Sequence, residues 1–182
     1  GGDPNGVFRR YVWAPVSKAA DRYREERKVK IKEIHAIIKP IEKTLTVQKI
    51  QAPELVGKDG RPHVFNGKRE LLAAMLNAGN GSNLSKLLRG YGWGRLDEDG
   101  NLDRGSWDSF VRRAEADGTI TKADWDFCQS VWNLLETMKP DAQKVHKKIY
   151  GYYFSEVTSE PIQTSFGEYR GGYYPAVADP FL

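Results

Sequence analysis

Residues 121–138 read TKADWDFCQSVWNLLETM, and their periodicity decides the fold. Trp125, Cys128, Trp132 and Leu135 recur every three or four residues, which places them on one face of an α-helix. Phe127, Val131, Leu134 and Met138 widen that face, as expected of a helix at the centre of a core. Thr121 and Asp124 stand three apart just ahead of the apolar run, an approximate capping box that sets the start of the helix. Cys128 is the single cysteine of the chain and lies among apolar residues with no base beside it, so an inert buried thiol is expected rather than a nucleophile.

The same period predicts further helices. KRELLAAMLNAG, from Lys68, puts Leu71, Leu72, Met75 and Leu76 on one face, with Gly79 as its stop. Ser82 is expected to cap NLSKLLRG, which Gly90 ends, and Ser106 to cap SWDSFVRRAEA. Pro140 is expected to open a last helix, PDAQKVHKKIY, ended by Gly151. From Val16 to Leu45 apolar residues at Val16, Ala20, Tyr23, Ile31, Ile34, Ile38, Ile41 and Leu45 describe one long amphipathic helix, about 45 Å if continuous. Pro15 fits its first turn, and Pro40 removes a backbone donor, so a kink is expected there. Between residues 47 and 67 the helical period is lost, and VGKDGRPHVF carries a DG turn between short β-capable runs. The expected fold is therefore all-α: five or six helices, one of them long and kinked, with a minor hairpin near residues 55–65. Three stretches organise it, namely 1–46 with the long basic helix, 47–151 as helical core with hairpin, and 152–182 as an extended aromatic C-terminal arm.

A chain of 182 residues and 20.6 kDa is large enough for one compact domain or a small domain with arms. Hydrophobic residues at 40% and charged residues at 29% are ordinary globular usage, and the mean hydropathy of -0.61 implies a well-solvated surface. No apolar run approaches the roughly 18–20 residues of a membrane span, and no signal-like segment opens the chain. A chain that begins Gly-Gly, without methionine, is expected to be a processed product or a piece of something longer. No repeat of 20–50 residues points to a solenoid.

Residue sets that would name a reaction are scarce. DEDGNLDRGSWD, Asp97 to Asp108, places oxygen side chains where an EF-hand loop has them, but Leu102 occupies the position that needs glycine, and Asp108 is shorter than the usual closing glutamate. Polar turns and helix caps are the preferred reading of that loop. His35, His63 and His146 fall in different elements without ligand spacing. There is no nucleophile elbow, and the glycines of RGYGWGR do not link a strand to a helix as a phosphate loop would. No catalytic residue, metal ligand or cofactor is assigned.

Two surfaces compete for a partner. The Val16–Leu45 stretch carries nine basic and five acidic residues, an excess equal to the net charge of +4, and Arg24, Lys28 and Lys32 line one helix face where they could follow a phosphate backbone. The interleaved Glu25, Glu26 and Glu33 favour a solvated helix with ordinary ion pairs, such as Glu26 with Lys30. The C-terminal stretch instead gathers nine of the 21 aromatic residues between Tyr150 and Phe181. Within it, Gly171 and Gly172 permit close backbone approach or positive φ, Tyr173 and Tyr174 point to opposite faces if extended, and Pro175 closes the motif. Either this segment clamps onto the Trp125 and Trp132 helix, or it meets a protein partner, including a second copy.

Taken in order, WAPVSKAADRYRE, LLAAMLNAGNGSNLSKLLRGYGW, ITKADWDFCQSVWNLLETMKPDAQKVHKKIYG and FGEYRGGYYP resemble a helical module of very large polyvalent proteins of tailed bacteriophages, those packaged in the virion or ejected with the DNA. The resemblance rests on Leu76, Asn77, Gly79, Asn80 and Asn83; on Thr121, Asp124, Trp125, Gln129 and Trp132; and on Gly171 to Pro175. It implies a phage origin, a location in the virion or the bacterial host cytoplasm, and a non-catalytic structural or interaction role. The alternatives are a nucleic-acid-binding module using the basic helix and a fragment of a virion-carried enzyme. After Pro175 the sequence AVADPFL departs from the tyrosine-aspartate continuation of that pattern.

Overall fold

The computed structural model describes residues 14–175, and it divides into two units, residues 1–39 and 40–182. In the first, α1 runs Ala14–Ile38. The expected helix to Leu45 stops short because Pro40 cannot supply the donor that an α-helix needs; from Lys39 to Thr44 the backbone tightens into a 3-10 turn. The kink expected within one helix is thus the boundary between two elements. Within α1, ion pairs join Arg22 to Glu26, Arg24 to Asp21, Lys28 to Glu25 and Lys30 to Glu33, so Glu26 and Lys30 each pair with a residue other than the one expected.

The second unit is mainly helical with minor β-structure. β1 (Ile50–Val56) and β2 (Pro62–Phe65) form an antiparallel hairpin, followed by α2 (Lys68–Asn77), α3 (Gly81–Tyr91), α4 (Gly105–Ala116), α5 (Lys122–Tyr150) and a second hairpin, β3 (Ile162–Thr164) with β4 (Gly167–Tyr169). The first hairpin is longer than expected, and its register shifts between Ala52 and Val56. Pro53, which has no N–H for the ladder, lies in that bulge. Three residues, Pro53 to Leu55, go unpaired between Ala52 and Val56 and change the pleat, so Ala52 and Leu55, three apart, are both fully buried. Arg113 of α4 pins this irregular strand by bonding the Glu54 carboxylate at 2.6 Å and the Gln51 carbonyl at 2.9 Å. The second hairpin lies inside the stretch expected as an extended arm, and the two hairpins together replace the all-α description.

The core is continuous through Leu71, Leu72, Met75 and Leu76 of α2, Leu84 and Leu88 of α3, Trp107 and Phe110 of α4, and Trp125, Cys128 and Trp132 of α5. At one end Trp93 stacks between Tyr91 and Trp107, with centroid separations of 4.4 and 6.3 Å. Helix ends differ from expectation where two good caps compete. Asn80 rather than Ser82 caps α3, its side chain accepting from the Asn83 N–H, and Gly92 rather than Gly90 ends it in the left-handed conformation. α4 begins at Gly105, whose N–H donates to the Asp103 carboxylate, so Ser106 lies inside it. At the start of α5 the carboxylate half of the box is made: the Thr121 N–H donates to Asp124 at 2.7 Å.

Pro140 does not open a new helix; α5 continues through it to the Gly151 cap. An internal proline costs about 3 kcal/mol against other residues, so the continuation must be supported by tertiary bonds. They come from the returning chain. The Gln143 side chain exchanges two 2.9 Å hydrogen bonds with the Phe154 backbone, and Lys139 bridges Glu136 on its own helix to Glu156.

Candidate functional site

The three resemblance-bearing stretches of this unit meet at one place. After β4 the chain lies along α5 and reaches the turn between α2 and α3. The Gly172 N–H donates to the Gly79 carbonyl at 2.8 Å, and the Asn80 amide returns a bond to the Gly172 carbonyl at 3.2 Å. Asn83 donates to the Tyr174 carbonyl, Gln129 donates to the Gly171 carbonyl, and the Arg170 N–H donates to Gln129. Trp132 closes the set by donating its indole N–H to the Leu76 carbonyl at 3.0 Å, one of the carbonyls that the end of α2 leaves without a helical partner.

Steric room explains the glycines. A Cβ on Gly172 would sit 2.4 Å from the Trp132 Cβ, and one on Gly79 would sit 2.5 Å from both the Gly172 oxygen and the Trp132 ring. Gly171 has φ of +72°, which side chains rarely adopt, and its Cβ would meet the Glu160 carbonyl at 2.3 Å. Gly79 was expected as a helix stop; it is a point of backbone approach across 93 residues of sequence.

The interaction residues proposed from sequence therefore divide. Gly171 and Gly172 are engaged internally, Tyr174 packs against the core, and Tyr173 is 41% exposed. The ring that stacks on Trp125 is that of Tyr169, at 5.9 Å, which the sequence reading did not single out. Its hydroxyl donates to Asp126 at 2.8 Å; burial and that bond push the phenol well above its usual range. Lys122 and Tyr169 together hold the Asp126 carboxyl below the usual carboxylate range, against the opposing effect of burial. Glu115 ties the second hairpin to the same core by accepting from the Trp125 indole at 2.8 Å and from the Ser165 N–H at 3.0 Å.

Below this closure the C-terminal half of α5 and residues 154–157 leave a largely apolar groove of about 460 Å³. Leu135, Met138, Phe154, Val157 and Tyr173 line it. Met138 was expected in the buried face; it is 46% exposed, because among the described residues no element covers α5 there. Val145, Ile149, Tyr150, Tyr152 and Tyr153 continue the exposed apolar surface towards the end of the helix.

The remaining candidates have ordinary surroundings. Arg24 and Lys28 are paired on α1, whereas Lys32 makes no ion pair among the described residues. In the Asp97–Asp108 loop, Asp97 accepts from the N–H groups of Asp99 and Asn101, Asp103 holds Gly105, and Asp108 is held by Arg104 at 3.0 Å. The loop is thus built as polar turns and a helix start. His63 packs edge-on against Phe65 and Trp93, and His146 bonds the Tyr152 carbonyl at 2.8 Å. Burial drives the Cys128 thiol far above its ordinary pKa, with the Asp124 charge adding to the effect. Asp124 itself is buried with Lys68, Nζ to Oδ2 2.6 Å, joining the first turns of α2 and α5.

No family model, curated protein or solved structure matches the chain. Among the described residues no helix is long and apolar enough to cross a membrane.

Proposed function

We propose that this chain is a non-catalytic structural and interaction module of a larger protein of a tailed bacteriophage, acting in the virion or after delivery into the host cytoplasm, and that it docks protein on the groove between the C-terminal half of α5 and residues 154–157. The supporting observation is the convergence of Gly79, Asn80, Asn83, Gln129, Trp132, Gly171 and Gly172 on one internal closure. Residues whose polar groups are satisfied by one another hold a shape; they do not present reacting groups to a substrate. The same closure carries Tyr173 to the rim of an apolar groove, and exposed Met and Tyr side chains at such a rim are the residue types enriched in protein interfaces. A nucleic-acid role for α1 has less support, since acids on the same helix pair two of its three candidate cations.

A photocrosslinking residue placed at Met138 in the full-length gene product tests the docking role in assembled particles. The expected result is a crosslink to another segment of that protein or to a structural component, lost on substitution of Tyr173 by serine. Turnover of peptidoglycan, nucleic acid or NAD by the pure chain, abolished by one point substitution, would replace this reading with the virion-carried enzyme. Salt-sensitive DNA binding abolished by glutamine at Arg24, Lys28 and Lys32 would replace it with the nucleic-acid module.

A further inference from the structure

A cleft of about 920 Å³ opens between the β1–β2 turn and the loop after α3. Lys58 from the turn, Arg89 from the last turn of α3 and Arg95 from the loop all line it. These three side chains are exposed and make no ion pair among the described residues. The cleft also contains two carboxylates, and both have other partners. Glu54 is paired with Arg113, which together with the bond between them keeps its carboxyl below the usual range, and Asp103 accepts the Gly105 N–H. The unbalanced charge facing the cleft is cationic.

The C-terminus of α3 would ordinarily repel an anion here, because its last carbonyls carry partial negative charge. Two of those carbonyls are engaged: the Leu88 carbonyl accepts from the N–H groups of Gly92, Trp93 and Gly94, and the Tyr91 carbonyl from the Lys58 N–H. The frame is also closely fitted. The Lys58 N–H donates to the Tyr91 carbonyl at 3.1 Å, and a Cβ on Gly92 would stand 2.7 Å from the Lys58 Cγ. Gly57, Gly60 and Gly94 leave backbone bare along the walls. The buried Trp93 ring lines the cleft, with an indole N–H that has no acceptor among the described residues.

We propose that this cleft binds a phosphate-bearing small ligand, with the anionic oxygens held by Lys58, Arg89 and Arg95. Two guanidinium groups and one ammonium suit phosphate oxygens, the former through paired N–H bonds and the latter as a point charge. The volume lies at the upper end of the roughly 300–1,000 Å³ of small-ligand sites, so a nucleotide fits better than a lone phosphate ion. No residue of the apolar groove takes part, and the assignment stands apart from the docking role.

Nitrogen-labelled whole chain, titrated with inorganic phosphate and separately with a nucleoside triphosphate against chloride at matched ionic strength, tests it through the indole N–H signals. The Trp93 signal, identified by its loss in Trp93→Phe, is expected to shift saturably with the triphosphate and more weakly with phosphate. Arg89→Gln with Arg95→Gln is expected to raise the triphosphate Kd at least tenfold, as Lys58→Gln does to a smaller degree, while Lys148→Gln on α5 leaves it unchanged. The two arginines are exposed, so the double variant retains the fold, which far-UV circular dichroism checks. No saturable shift, a shift matched by chloride, or an affinity indifferent to the arginines overturns the site. A shift produced by single-stranded DNA but by neither small ligand overturns it too.

Discussion

The two halves of α5 both carry apolar residues at helical spacing and put them to opposite use. In the first, Trp125, Cys128 and Trp132 are completely covered, by α2 on one side and by the returning C-terminal segment on the other. In the second, Met138, Val145, Ile149 and Tyr150 are exposed, and the chain touches the helix mainly through polar bonds at Lys139 and Gln143. One helix thus serves as a core element for half its length and as a presented surface for the rest. Periodicity reports that a face is apolar, and burial depends on what else the chain brings to it.

Substitutions should separate the halves sharply. Trp132→Ala removes a buried ring and leaves the Leu76 carbonyl without its donor, and it is expected to destabilise by about 3–5 kcal/mol, read as a lowered thermal midpoint. Asp124→Ala leaves the Lys68 ammonium buried without its carboxylate and is expected to lose a comparable or slightly smaller amount, about 3 kcal/mol in urea unfolding. A loss below about 1 kcal/mol in either case would mean that the first half is not the core. In the second half, Pro140→Ala restores an N–H to a continuous helix and should raise stability by about 1 kcal/mol; a decrease would show that the proline ring itself is needed. Met138→Ser and Ile149→Ser, on the exposed side, are expected to change stability by no more than about 0.5 kcal/mol while weakening association through the groove.

Acid should act first on the bonds that hold the periphery to this core. Glu54, paired with Arg113, and Asp126, bonded to Lys122 and Tyr169, have carboxyls held below their ordinary pKa. A carboxylate whose folded pKa is depressed stabilises the fold above its unfolded value near 4, and that stability is lost as pH falls through the folded pKa. Chemical unfolding is therefore expected to show stability level from about pH 7 to pH 5 and falling below about pH 4. Asp126→Asn should flatten part of that fall, and an unchanged profile would remove Asp126 from the account.

The parts legible in the sequence are those governed by neighbours along the chain. The Thr121–Asp124 start of α5, the apolar face of α2, the Asp59–Gly60 turn of the first hairpin and the Gly151 stop each follow from a few adjacent residues. Pro140 misled because a local rule was outweighed by Gln143 and Lys139 binding residues more than ten positions away. The cap of α3 was misplaced because Asn80 and Ser82 are both good caps, and only the bond to Asn83 decides between them. Gly171 and Gly172 signalled a close backbone approach, but nothing near Gly79 named it as the partner, and the groove had no signal either, since Met138 has the same spacing as the buried residues of its helix. The cationic cleft joins Lys58 to Arg89 and Arg95 from separate elements, although the glycines of RGYGWGR marked one of its walls.

Hydrogen exchange at the Gly172 amide, read residue by residue in the isolated chain, tests most directly whether the glycine-tyrosine segment closes the fold on itself. Its N–H donates to the Gly79 carbonyl across the top of Trp132, so it is expected to exchange only through global unfolding, as slowly as the core amides of α5. Exchange of Gly172 as fast as an exposed loop amide, while α5 stays protected, would contradict the closure and return residues 171–175 to the status of a partner-binding arm.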